Sequence, residues 1–315
     1  MLFRSVAGTA GPRVAILLGC YNGAAHLDEQ LASLAAQTHA NWVLLVSDDG
    51  SRDASVAIVE AFAARVGPER VRLRRGPGRG FLPNFLAMAC DPGFDADYFA
   101  FCDQDDIWEP EKLARALQSI EHAGDRPALY CSRTRLTDEA GLDIGFSPLF
   151  RRPPCFRNAL VQSLAGGNTM MFNRAARQLL ETVGADVVVP SHDWWLYLLV
   201  SGADGLVIYD DWASVRYRQH AANLVGGNVG LKARLNRLGR LLEGRFGIWN
   251  SQHCAALAPH LELLTPHNRE LFLLFCAART DGVLGRLTRI LRARLFRQTP
   301  IGNLGLYVAV LLNKF

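Results

Sequence analysis

No stretch of the sequence reaches the roughly 20 consecutive apolar residues that a membrane-spanning helix needs. The opening MLFRSVAGTAGPR holds no apolar region of the size a secretory signal requires. No CxxC pair occurs, which argues against zinc ribbons and thioredoxin-like redox chemistry. HExxH and GxSxG are also missing, so neither a zinc protease nor a serine hydrolase is indicated. The Gly-rich loop Arg75-Gly76-Pro77-Gly78-Arg79-Gly80 matches neither the dinucleotide fingerprint nor a Walker loop. No period repeats. The 7 cysteines are odd in number and several sit in apolar runs. Buried, reduced thiols follow, and with them a reducing, cytoplasmic setting.

What is present is a chain of 315 residues with 50% hydrophobic content, enough for a large core. Its net charge of +4 is unevenly spread. From Leu231 to Phe315 there are 13 Lys/Arg and 4 Asp/Glu, or +9, which leaves 21 against 26, or −5, for Met1 to Gly230. Such asymmetry points to an anionic partner, either nucleic acid or an anionic membrane surface. No aromatic residues interleave the arginines in a recognisable RNA motif, so the membrane is the partner expected and nucleic acid is not. Gly226, Gly227 and Gly230 mark a boundary. Beyond it, Leu231, Leu235, Leu238 and Leu242 share one helical face. Leu284, Leu287, Leu291 and Leu295 share another, opposite Arg286, Arg289 and Arg297. Lying on the bilayer or packing on the rest of the protein are both open to such helices.

The first hundred residues alternate strand and helix. Val14–Gly19, Trp42–Val46, Val71–Leu73 and Tyr98–Cys102 read as strands; Leu27–Ala36, Ser55–Val66 and Phe81–Ala89 read as helices. That is the pattern of βαβ units and a parallel sheet, in which ligands bind beyond the carboxyl ends of the strands. Further on, strands are predicted at Ala128–Cys131, Thr169–Phe172, Leu206–Tyr209 and Ala213–Tyr217, with helices at Arg174–Val183 and Trp194–Val200.

Acidic clusters fall at those strand ends. Asp103, Asp105 and Asp106 place three carboxylates within four positions after an apolar strand. Their repulsion calls for a compensating charge, and a divalent cation that also holds phosphate supplies it. Asp106 also suits a helix N-cap ahead of Pro110. Asp48-Asp49-Gly50-Ser51 reads either as turn chemistry or as a carboxylate that contacts a base or ribose. Tyr21 could stack on a nucleobase, and Arg79 suits a diphosphate. Asp193, in Ser191-His192-Asp193-Trp194-Trp195, reads either as a general base beside an aromatic platform or as a helix cap before core tryptophans. His220, after Arg216-Tyr217-Arg218-Gln219, is either a metal ligand or structural.

Taken in order, the blocks ILLGCYNG, LASLAAQT, VSDDGSRD, GFLPNF, CDQDDIWEPEKL, GGNTMMFNR, SHDWW and YRQHAANLVG resemble the inverting family 2 glycosyltransferases. The likeness spans about Val14 to Gly227, and CDQDDIW and YRQHAAN look most like bacterial rhamnosyltransferases of surface polysaccharide synthesis. It implies a GT-A fold: a Rossmann-like α/β architecture with a mixed, mainly parallel sheet flanked by helices. Residues 1–228 would be the catalytic domain, with 1–110 the nucleotide-sugar half and 111–228 the acceptor half. Residues 229–315 would be a basic, amphipathic helical extension. The likeness further implies a nucleotide-diphosphate sugar donor, dTDP-L-rhamnose foremost, and a glycan or lipid-linked glycan acceptor. Tyr21, Asp49, Arg79 and Asp103 would bind the donor. Asp103, Asp105 and His220 would hold Mg²⁺ or Mn²⁺. Gly167, Asn168 and Trp194 would meet the acceptor, and Asp193 would be the catalytic base. Where the family often has Thr or Ala, this chain has Gly19, which removes a side chain beside the nucleotide. A lipid-linked acceptor would place the protein peripherally on the inner face of the plasma membrane. The alternatives are a nucleotidyltransferase, which also uses paired acids and a metal, and a non-catalytic binding protein on the same fold.

Overall fold

The structure, a computed structural model, describes residues 11–219 and 245–315. Its frame is the parallel quartet β1 (Val14–Cys20), β2 (Trp42–Asp48), β3 (Val71–Arg75) and β4 (Tyr98–Cys102), linked by α1 (Leu27–Ala35), α2 (Ser55–Val66) and α3 (Phe81–Ala89). The run VAILLGC is buried on both faces of its strand, as a central parallel strand must be. Its alternate residues feed two cores. Ala15 and Leu17 meet Phe85, Leu86 and Phe101 on one side of the sheet; Val14, Ile16 and Leu18 meet Leu27, Leu31 and Val59 on the other.

The chain continues through β5 (Ile107–Trp108), α4 (Lys112–Ile120), β6 (Ala128–Thr137), β7 (Asp143–Phe146), α5 (Phe156–Ala159), β8 (Met171–Asn173), α6 (Arg174–Val183), α7 (His192–Gly202) and β9 (Leu206–Arg218). The strand order is β3-β2-β1-β4-β8-β6-β9-β5, with β7 paired to β6 off that path. β8 is antiparallel to both β4 and β6, β5 is antiparallel to β9, and β6 and β9 run parallel. Asn173 ends β8 and caps α6, its side-chain oxygen accepting from the Ala176 N–H.

Several sequence expectations change here. The segments predicted as two strands within Leu206–Tyr217 are one strand, β9, which absorbs Asp210-Asp211-Trp212 through register shifts against Ser132–Thr134. β5 and β7 carry no apolar alternation long enough to signal a strand; partners remote in sequence make them. Asp106 does not cap a helix, because α4 starts only at Lys112 with Glu111 before it.

The C-terminal helices are α8 (Arg245–Leu257), α9 (Pro266–Thr280), α10 (Val283–Ala293) and α11 (Pro300–Leu311). Thr265 and Thr299 cap α9 and α11, each followed by proline. The helices pack on the sheet rather than standing apart: Phe246, Leu271, Phe272, Phe275, Leu306 and Val310 share one core with Phe99, Phe172 and Trp195. The predicted leucine face of α10 is therefore broken up. Leu295 is buried, Leu287 packs against the core, and Arg286 is buried with its guanidinium donating to the Val310 and Asp281 carbonyls. The expected face from Leu231 to Leu242 lies outside the described residues. Among the described residues, no helix is long and apolar enough to cross a membrane.

Candidate active site

The carboxyl ends of β1, β2 and β4 point the same way, and the loops that leave them are stitched together. Asn22, in a left-handed conformation, donates its N–H to Ser51 Oγ at 2.8 Å and accepts at Oδ1 from Arg52 N at 2.9 Å. The N–H groups of Gly23 and Ala24 reach Ser55 Oγ and Asp53 Oδ2. Gln104 joins the third loop to the first with a reciprocal pair: its Oε1 accepts from Tyr21 N at 2.8 Å and its Nε2 donates to Tyr21 O at 3.0 Å. Tyr21 is thereby fixed by its backbone while the residue stands 57% exposed at the rim.

Asp49 accepts from the N–H groups of Gly78 and Gly80, both at 2.7 Å. Gly80 has φ +92, Gly78 φ +67, and a Cβ on Gly76 would come within 2.7 Å of Asp49 Oδ1 and of Asn84 Oδ1. The loop can wrap the carboxylate only because these positions are glycine. Arg79, at the loop's tip, is exposed and pairs with exposed Asp186 at 2.9 Å. Asp48 caps its own turn, accepting from Ser51 N at 3.1 Å.

The acids after β4 divide into two roles. Asp106 is buried and accepts from Asn168 Nδ2 at 2.6 Å, while its Oδ1 has no partner. Beneath it, the buried Lys112 ammonium lies 4.3 Å from the Trp108 ring centre and has no hydrogen bond. Burial pulls that ammonium down to about 7, and the nearby Cys102 and Asp106 work against this. Asp103 is instead half-buried toward the loops. Burial, then the charges of Asp105 and Asp193, push its carboxyl well above the ordinary range. Asp193, 90 residues further along the chain, thus shares one field with the acidic loop.

Asp193 sits in the first turn of α7, where the helix dipole favours its charge. Its Oδ2 accepts from Gly167 N at 3.2 Å, and its Oδ1 accepts from Ser191 Oγ and Trp194 N. The Gly167-Asn168 turn therefore bridges the two sets of acids, with Gly167 on Asp193 and Asn168 on Asp106. His192 lies behind the turn, stacked on Phe85 at 4.3 Å and edge-on to Phe101 at 4.6 Å. A Cβ on Gly167 would stand 2.3 Å from His192 Nε2. Burial, opposed by Asp193, holds His192 down at about 4, so the ring is neutral.

A family profile described as Glycosyl transferase family 2 matches residues 15–180, which is more than half of the chain. The chain belongs to glycosyl transferase family 2. The dTDP-rhamnosyl transferase RfbG of Shigella flexneri is 28% identical over 234 residues, covering 70% of this chain and 78% of that protein. In fold, the S. aureus TarS fragment 1–349, solved with UDP-GlcNAc, superposes with a TM-score of 0.51 at 14% identity, covering 90% of this chain and 89% of that one. The mannosyltransferase PcManGT of Pyrobaculum calidifontis, solved with GDP-Man and Mn²⁺, gives 0.50 at 18% identity over 96% of this chain and 86% of its own. The architecture is accordingly GT-A.

Two expectations for this glycosyltransferase meet a different environment. Trp194 lines no open pocket: it is buried, its indole N–H donates to Ala159 O at 2.7 Å, and its ring packs against His253 and Trp249 of α8. A side chain at position 19 would point at Phe85 rather than out of the sheet end, since a Cβ on Gly19 would sit 3.0 Å from the Phe85 ring. His220 lies outside the described residues. Among the described residues, no group of three or more His, Cys, Asp and Glu is arranged to hold a metal ion. Asp103 and Asp105 still fit Mg²⁺ or Mn²⁺ in donor chemistry: hard carboxylate oxygens for a cation that takes one or two such ligands and fills its shell with water and phosphate. Burial and then the charges of Asp105 and Asp193 raise the Asp103 carboxyl, and a bound cation would oppose both. Gln104, Lys112 and the Asn168–Asp106 bond escaped sequence reading, because an amide or amine between acids gives no signal until its distant partner is known.

Proposed function

We propose that this family 2 glycosyltransferase moves a sugar from a nucleotide-diphosphate donor to a hydroxyl of a glycan or lipid-linked glycan, with inversion. The donor proposed is dTDP-L-rhamnose, and the setting is cell-surface polysaccharide synthesis at the inner face of the plasma membrane. The supporting observation is that the Gly167-Asn168 turn holds Asp193 and Asp106 together, with the charges of Asp105 and Asp193 both acting on Asp103. The name of the S. flexneri relative supports the rhamnosyl donor.

In this reading Tyr21 and Asp49 meet the nucleoside, Arg79 the diphosphate, and Gly167 and Asn168 the acceptor. Residues 1–110 serve the donor, 111–228 the acceptor, and 229–315 the membrane. Asp103 and Asp105, with His220, would hold Mg²⁺ or Mn²⁺, which when bound supplies positive charge opposite the departing diphosphate. Asp193 takes the proton of the acceptor hydroxyl, whose oxygen attacks the anomeric carbon from the face opposite the diphosphate. The Gly167 N–H and Ser191 Oγ fix that carboxylate, so it meets the hydroxyl in one orientation. One base and one source of positive charge suffice for a single displacement, so no carboxylic acid is needed at the leaving group, unlike in glycoside hydrolysis.

The test combines dTDP-L-rhamnose, Mn²⁺ and two variants. Asp105→Asn is expected to weaken Mn²⁺-dependent donor binding. Asp193→Asn should bind donor normally and lose turnover by about 10²- to 10⁴-fold, the range of general-base effects. Near-normal turnover of Asp193→Asn would remove it as the base, and a thermal shift from other nucleotide sugars alone would remove rhamnose.

A further inference from the structure

We infer that α10 and α11 form a docking plate for an anionic bilayer surface. This deepens the peripheral-membrane part of the reading above, on which it rests, and needs none of the donor chemistry. Both helices bury one side in the common core: Arg286, Ile290 and Ala293 from α10, and Leu306, Ala309 and Val310 from α11. They adjoin, and Arg286 of α10 donates to the Val310 carbonyl of α11 at 2.9 Å. Their opposite sides carry apolar residues where a soluble helix carries polar ones. On α11, Ile301 and Leu304 are 67% and 66% exposed, and Leu311 continues the same row two turns on. On α10, Leu284 is 82% exposed, and Leu291 follows seven residues later on the same side.

Charge decides what covers this row. From Gly282 to Phe315 the chain has six Lys/Arg and no Asp/Glu. Of these, Arg292 and Arg294 are exposed at the end of α10, next to Leu291. A protein partner would have to bring all of the opposite charge itself, whereas a layer of anionic headgroups offers it at every point, with acyl chains beneath for the leucines. α11 holds 12 residues and no charged one. At 1.5 Å per residue it is about 18 Å long, too short for a hydrocarbon core of about 30 Å, so it lies in the interface rather than across it.

Flotation of the full-length protein with vesicles tests this. Vesicles of phosphatidylcholine with 30% phosphatidylglycerol should carry the protein upward, and pure phosphatidylcholine vesicles should not. Ile301→Glu combined with Leu304→Glu should lower binding at least about 10-fold. Arg292→Gln and Arg294→Gln should each lower it about 5-fold, by the known worth of a basic residue near an anionic surface. These side chains are exposed, so the variants should melt like the parent and bind Mn²⁺ and dTDP-L-rhamnose like it. Unchanged flotation of the leucine and isoleucine variant would overturn the plate, as would equal binding to neutral vesicles. A parent that stays unbound but sediments as a dimer, which Leu304→Glu converts to a monomer, would assign the row to a second copy instead. Loss of donor binding in the parent would strike the glycosyltransfer reading and leave the plate standing.

Discussion

Gly167 shows how much a missing methyl group can carry. Its N–H holds Asp193, and its Cα lies so close to His192 that an added Cβ would stand 2.3 Å from Nε2 and about 3 Å from two ring carbons. The ring cannot retreat, because Phe85 covers one face and Phe101 meets its edge. Gly167→Ala should therefore destabilise by about 1–3 kcal/mol through overpacking and lower turnover by shifting the Asp193 hydrogen bond. Adding His192→Ala should recover part of the lost melting temperature. A melting point unchanged by Gly167→Ala would show that the turn is loose. At this scale the sequence was partly legible. Asp103, Asp105 and Asp193 stood out as charges where a strand or helix meets a loop. The bond between Asn168 and Asp106 could not be read, since 62 residues separate its ends and either alone is an ordinary polar residue.

In the proposed donor face, one amide ties the loop after β4 to the loop after β1. Gln104 takes both backbone groups of Tyr21. Gln104→Leu keeps the bulk and removes both bonds. With each such bond contributing about 1 kcal/mol, nucleotide affinity should fall about 10- to 30-fold through loss of order at Tyr21. Titration calorimetry with dTDP would show it, and an unchanged affinity would mean that Tyr21 is placed by other contacts. Helices and central strands were the easiest elements to foresee: α2, α3, β4 and α6 have the bounds their periodicity predicts. β5 and β7 were not, because two and four residues with no long apolar alternation become strands only when β9 and β6 supply hydrogen bonds.

Across the whole molecule, the C-terminal helices complete the core beneath the sheet. His253 of α8 is the joint, buried edge-on to Trp194 and stacked over Trp195 of α7, with neither ring nitrogen hydrogen-bonded. Burial pulls it down to about 3. An unfolded histidine takes a proton near pH 6.5, so between that pH and about 3 the unfolded chain binds the extra proton and the folded chain does not. His253 thus favours unfolding increasingly as pH falls through this window and has no such effect above it. His253→Phe keeps the ring and removes the titration. Relative to the parent, it should gain about 2 kcal/mol between pH 7.5 and pH 5, read from urea midpoints at each pH. A difference that stays constant with pH would mean that His253 takes its proton in the fold as readily as in the unfolded chain.

The same joint changes what a deletion can teach. Removing everything after Gly230 takes away the proposed membrane plate, and with it the aromatic backing of the helix whose first turn carries Asp193. If both proposals hold, a shortened chain that fails to reach lipid would also have lost the packing behind Asp193, so binding and turnover would vanish together for unrelated reasons. Only changes confined to the outward row separate where the enzyme sits from whether it works.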